Sequence, residues 1–89
     1  MTTDRRTALT DELIAFIHDE VATADDPIDR DTDLLLTGLV DSLGVIRIVN
    51  WMEDRLAIEI PPTDVVLDNF QFVWQMIEYA ARRGAVAAA

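Results

Sequence analysis

Apolar residues along the chain fall at two characteristic spacings. Leu9, Leu13, Phe16, Ile17 and Val21 recur every three or four positions, which predicts a helix over about residues 9 to 24 with one buried stripe. Thr7 or Thr10 would cap it, and Asp11 and Glu12 in its first turn suit the helix dipole. Asp25-Asp26-Pro27 should end it, since proline has no amide to continue the ladder. Residues 25–41 read as a long acidic loop, with Leu34, Leu35 and Leu36 as the apolar pins that hold it down. A second helix should open at Asp41-Ser42 and run to about Leu56. Its inner face would be Val45, Ile48, Val49, Met52 and Leu56; its outer face would be Leu43, Arg47, Asn50, Trp51 and Asp54.

Ile58-Glu59-Ile60 alternates as a brief extended piece before Pro61-Pro62 breaks the chain. Residues 63–67 fit one short helical turn. Asp68 or Asn69 would cap a last helix from Phe70 to about Arg83, whose buried stripe reads Phe70, Val73, Trp74, Ile77, Ala80 and Ala81, with Phe72 and Tyr79 on the opposite side. Arg82 and Arg83 suit a helix C-terminus and Gly84 supplies the stop. The expected fold is all-α: a small four-helix bundle of three main helices and a short third one. We expect one domain over residues 1–89, with its core at about 7–83 and a disordered tail at 84–89.

Composition narrows the chemistry. The chain has no cysteine, which excludes disulfides, thiolate metal sites and thiol nucleophiles, and its single histidine, His18, argues against a histidine-rich metal centre. His18 itself reads as a solvated surface residue. Seventeen acids against seven bases give a net charge of −10, unsuited to nucleic acid or an anionic membrane and suited to a basic protein surface. The excess is concentrated, since residues 11–41 hold ten acids and one base, Arg30. The acidic loop lacks the glycine and terminal glutamate of a calcium-binding EF-hand. No stretch reaches the roughly 20 apolar residues of a membrane span, and Met1-Thr2-Thr3-Asp4-Arg5-Arg6 lacks a signal peptide's apolar segment, so a cytoplasmic location is expected.

Ser42 is the residue on which chemistry can be placed. At a helix N-terminus, unpaired amides and the helix dipole favour an anion attached to, or docked beside, its hydroxyl. Nucleophilic catalysis needs a base, and His18 has no evident orienting partner. No catalytic residue is expected, and the protein is not read as an enzyme.

The run Gly38-Leu39-Val40-Asp41-Ser42-Leu43-Gly44-Val45-Ile46 resembles the attachment motif of acyl and peptidyl carrier proteins. The order of helices, the Ile58-Glu59-Ile60-Pro61 run and the Asn69-Phe70 start of the last helix look like that family too. The resemblance implies that Ser42 bears a covalent 4′-phosphopantetheine arm whose thiol holds acyl or aminoacyl groups as thioesters. Asp41 would be the adjoining acid that helps a phosphopantetheinyl transferase engage. Implied partners are that transferase, an adenylating ligase or acyltransferase, and downstream biosynthetic enzymes, served by a monomer acting in trans.

Departures from the family's pattern point to a subtype. The second helix of fatty-acid carriers presents an acidic face, whereas Arg47, Asn50 and Trp51 stand here beside Glu53 and Asp54. Leu43, Arg47, Asn50, Trp51 and Asp54 are the candidate partner contacts, with Trp51 either a docking anchor or a residue packed under the first loop. The Gly-Leu-x-Asp-Ser form looks more like free-standing carriers of dedicated natural-product pathways. A D-alanyl or fatty-acid carrier, or an unmodified helical adaptor, is the alternative. Leu43, Ile46, Val65 and Val66 would line a shelter for apolar cargo.

Overall fold

The computed structural model describes residues 5–84, and within them the chain is all-helical, as expected for a small bundle. Helix α1 (Arg5–Phe16) runs directly into one π-helical turn, Ile17–Val21. Helix α2 (Ser42–Leu56) follows the long loop, then a 3₁₀ turn (Pro62–Asp64), the short α3 (Leu67–Phe70) and α4 (Val73–Arg82). The expected tail lies outside the described residues apart from Gly84, which takes the expected left-handed stop (φ 77°) after α4.

Helix α1 starts earlier and stops earlier than its apolar pattern implies. It is already formed at Arg5, so neither Thr7 nor Thr10 caps it; Thr10 Oγ1 instead donates to the Arg6 carbonyl within the helix (2.6 Å). Pro27 does not end it. The Ala22 amide closes a wide turn on the Ile17 carbonyl (2.8 Å), and Thr23 then turns away to bond the Leu39 carbonyl (2.9 Å). A tertiary hydrogen bond therefore diverts the chain before the proline is reached.

The last helix is divided. Phe70 closes α3, and the Phe72 backbone is extended, with its amide donating to Gln75 Oε1 (3.0 Å), so that α4 begins at Val73. The division turns α4 from its predicted orientation. Val73, Ile77 and Ala80 are buried as expected, but Met76 and Tyr79 join them, while Trp74 is half-buried and stacks on Phe72 (5.9 Å between rings). Tyr79 packs on Phe70 and donates its hydroxyl to Asp64 Oδ2 (2.6 Å). Burial, with the Asp64 carboxylate beside it, pushes the Tyr79 pKa up to about 12. Asp64 sits in the 3₁₀ turn, so this bond ties the turn to α4. Asn69 adds a second tie, donating from Nδ2 to the Asp64 carbonyl (2.9 Å) while its Oδ1 accepts from Arg82 (3.2 Å).

The core joins Leu9, Leu13 and Ile17 of α1 to Ile48 and Met52 of α2 and to the buried face of α4. Each such side chain contributes roughly 1.5–3 kcal/mol on leaving water. Phe16, Val45, Val49 and Leu56 pack half-buried at its margin. In the loop only one of the three expected leucine pins is fully buried: Leu34 is 0% exposed, Leu35 is half-buried, and Leu36 is 71% exposed. Leu39 and Val40 provide the other anchors. A bidentate pair between Arg55 and Glu12 (3.0 and 2.9 Å) bridges α1 and α2 and holds the Glu12 carboxyl below its ordinary range.

Helix α2 ends as expected at Leu56, on Ala57 in the left-handed conformation (φ 53°, ψ 45°), which strains a residue bearing a Cβ. Ala57→Gly should raise stability by about 0.5–1 kcal/mol, read as a shift of the urea midpoint at unchanged slope.

Candidate functional site

Asp41 and Ser42 stand where the loop becomes α2. Asp41 is extended (φ −91°, ψ −178°) and caps the helix, its Oδ1 accepting from the Gly44 amide (2.8 Å) and its carbonyl from the Val45 amide (2.9 Å). Ser42 is the first helical residue and is exposed. The amides of Ser42 and Leu43 have no carbonyl four residues back within the helix, so they lie at its positive end beside the Ser42 hydroxyl. Such donors favour an anion attached to an exposed hydroxyl at this position.

Three contacts fix this helix end. Gly44 is buried, and a Cβ built on it would lie 2.8 Å from Val21 Cγ1 and 2.9 Å from Val40 Cγ1. Only glycine lets the first turn of α2 settle onto the π turn and the loop's end. Arg47 reaches across to the same π turn, donating to the Glu20 carbonyl, with the Glu20 carboxylate 3.9 Å from its Nη2. On the loop side, Thr23 holds Leu39 through its amide and Oγ1 (2.9 and 3.2 Å), and the Val40 amide closes on the Leu34 carbonyl (2.8 Å).

His18 in the π turn is not a lone solvated residue. Its Nδ1 lies 2.9 Å from Asp19 Oδ1 and its Nε2 lies 2.9 Å from Asp25 Oδ1. The bond to Asp19, with the charge of Asp25 acting the same way, raises the His18 pKa above its ordinary value. Protonated, the ring links the end of α1 to the start of the loop.

The other sequence-derived site residues are divided by the fold. Leu43 (66% exposed), Asn50 and Asp54 face solvent on α2, as the helical wheel places them, and Ile46 (55% exposed) faces solvent too. Arg47 is exposed too, but its charge is shared with Glu20. Trp51 is half-buried and stacks on Phe16 of α1 (5.4 Å between rings, 19°). Leu43, Ile46 and Val66 lie on the surface, and neither of the two cavities described includes them or Val65. The larger cavity, about 600 Å³, lies between the first turns of α1, Asp29-Arg30 and α4; the smaller, about 260 Å³, lies behind the loop near Thr23 and Thr37.

Two features were missed from the sequence. Gly44 had a legible signal, a glycine inside the first turn of an otherwise good helix, where alanine is favoured. Ser42 is also the only serine in the chain.

A family model described as phosphopantetheine attachment site matches residues 11–71, from α1 through α3. The match covers more than half of the chain, which therefore belongs to the phosphopantetheine-attachment-site family of carrier proteins. No curated protein matches the chain. Domains of this family carry 4′-phosphopantetheine covalently on a serine, work with a phosphopantetheinyl transferase and with partner enzymes, and are not enzymes themselves. Among the described residues, no helix is long and apolar enough to cross a membrane.

Two outcomes test the geometry. Gly44→Ala gains helix propensity but overpacks Val21 and Val40, so a net loss of roughly 1 kcal/mol is expected by urea unfolding. Because the folded-state pKa of His18 is raised, its contribution is fully present below the unfolded value of about 6.5 and is lost as pH rises through the folded value. The stability margin of the wild type over His18→Gln should therefore shrink from pH 6 towards pH 8, and the His18 ring resonances should titrate above 6.5.

Proposed function

We propose that this protein is a carrier in which Ser42 is the attachment residue. The observation that carries this reading is positional: the chain's only serine is exposed at the first position of α2, inside a family whose members are modified on serine. Asp41 shapes the site by capping the helix through Oδ1, and as an exposed carboxylate beside Ser42 it is the group offered to the transferase's metal-bound coenzyme A. The amides of Ser42 and Leu43 lie where the phosphodiester of the arm would be held. When bound, the arm supplies a terminal thiol on which acyl or aminoacyl groups are carried as thioesters.

The outer face of α2 is the docking face in this reading. Leu43 provides apolar contact next to the arm, and Arg47, Asn50 and Asp54 the polar complement, with Trp51 backing the face from its stack on Phe16. Arg47 paired with Glu20 leaves little net charge at the middle of that face. This favours partners of a dedicated natural-product pathway over enzymes that recognise a strongly acidic helix. The partners are an adenylating ligase or acyltransferase that loads the arm, and the biosynthetic enzymes that use the cargo. A monomer in the cytoplasm fits these roles.

Incubation with coenzyme A, Mg²⁺ and a broad-specificity phosphopantetheinyl transferase should add the mass of one phosphopantetheine group, read by intact mass spectrometry. Ser42→Ala should abolish the gain. No gain in the wild type would overturn the carrier reading in favour of an unmodified adaptor, and a gain that survives the substitution would overturn Ser42 as the attachment residue.

A further inference from the structure

The loop before Ser42 holds an apolar residue out into solvent by design of its hydrogen bonds. The Val40 amide closes on the Leu34 carbonyl (2.8 Å), making residues 34–40 a closed loop. Inside it the Gly38 amide bonds the Leu35 carbonyl (3.1 Å), Thr37 Oγ1 donates to the Asp33 carbonyl (2.6 Å), and the Leu36 amide donates to Asp33 Oδ1 (3.0 Å). Asp33 is itself anchored, its Oδ2 accepting from Gln71 Nε2 (3.0 Å), and the Leu34 amide bonds the Gln71 carbonyl (2.9 Å). The loop is therefore fixed to the α3–α4 junction at one side and to Ser42 at the other. On it sits Leu36, 71% exposed and the most exposed of the large apolar side chains among the described residues.

We infer that Leu36 is a specificity-determining contact for the enzyme that modifies Ser42, seated in an apolar depression of that enzyme rimmed by arginine or lysine. The inference rests on the carrier reading of Ser42 and adds a partner contact outside α2. Chain geometry places it within reach. Leu36 is at most about 7 Å along the chain from Leu34, Ser42 at most about 7 Å from Val40, and the closing bond joins Leu34 to Val40. The two residues are thus within roughly 20 Å, inside a standard interface footprint about 30 Å across. Charge selects the occupant. Exposed Asp25, Asp26, Asp31 and Asp41 share this segment with a single base, Arg30. A second copy would bring the same acids against them, whereas a basic rim complements them. The ordering of the loop by its own bonds also means that little conformational entropy is lost when the leucine is bound.

The test compares wild type, Leu36→Gln and Leu36→Met in the transferase assay with coenzyme A, following mass gain over a range of carrier concentrations. Leu36→Gln should raise KM roughly five- to tenfold with kcat little changed, and Leu36→Met should restore the wild-type KM. Thermal unfolding midpoints should agree among the three, since the side chain packs on little. Wild-type KM in Leu36→Gln would overturn the inference while leaving the carrier reading intact. Absence of any mass gain in the wild type would remove both. Sedimentation velocity gives a further overturning outcome: a wild-type dimer abolished by Leu36→Gln would assign the leucine to a second copy.

Discussion

The position of Ser42 depends on how closely one helix end approaches two valines. Without a Cβ at Gly44, the first turn of α2 rests against Val21 and Val40 at distances no other residue would permit. Val21 ends the π turn of α1 and Val40 ends the loop, so a single close approach brings three segments to one point. The Asp41 cap, the Arg47 bond to Glu20 and the Thr23 clamp on Leu39 all act on that same junction. These are short-range, directional contacts, and together they set where the serine hydroxyl stands relative to the helix axis.

The segment after α2 is held by a second kind of force as well. The segment between α2 and α4 has too few residues for a stable helix of its own and is fastened by polar ties. Tyr79 reaches Asp64, Asn69 reaches the Asp64 carbonyl, and Arg83 reaches the Glu59 carbonyl (2.9 Å). Apolar burial joins α1 to α4 and anchors the shorter segment through Ile60 and Phe70, while side-chain hydrogen bonds position it. Such ties break locally at lower cost than a core does.

Much of this was legible in the chain. The stripe Leu9, Leu13, Ile17 and the inner face Ile48, Met52 follow directly from helical spacing, and the start of α2 at Asp41-Ser42 follows from capping chemistry. Ser42 was recognisable because its neighbours carry the motif. The misreadings share a physical cause. Leu36 has the composition of a core residue, but the Asp33 turn that directs it outward is a matter of backbone hydrogen bonding. Trp74 and Tyr79 exchange places because a break at Gln71-Phe72, unmarked by proline or glycine, resets the phase of α4. Trp51 was read as either a docking anchor or a residue packed under the first loop; its stacking partner, Phe16, lies on another helix, and spacing within one helix cannot supply it.

The π turn at Ile17–Val21 bears on how this chain tolerates insertion and deletion. A wide turn of this kind is equivalent to one residue added to an α-helix, accommodated without lengthening it by a full turn. Losing one residue there would restore regular α-helix and rotate everything after it by about 100°. Val21 would leave Gly44, and Thr23 would leave Leu39. Lineages that retain the close helix junction should therefore keep the length of this stretch fixed even where its side chains vary.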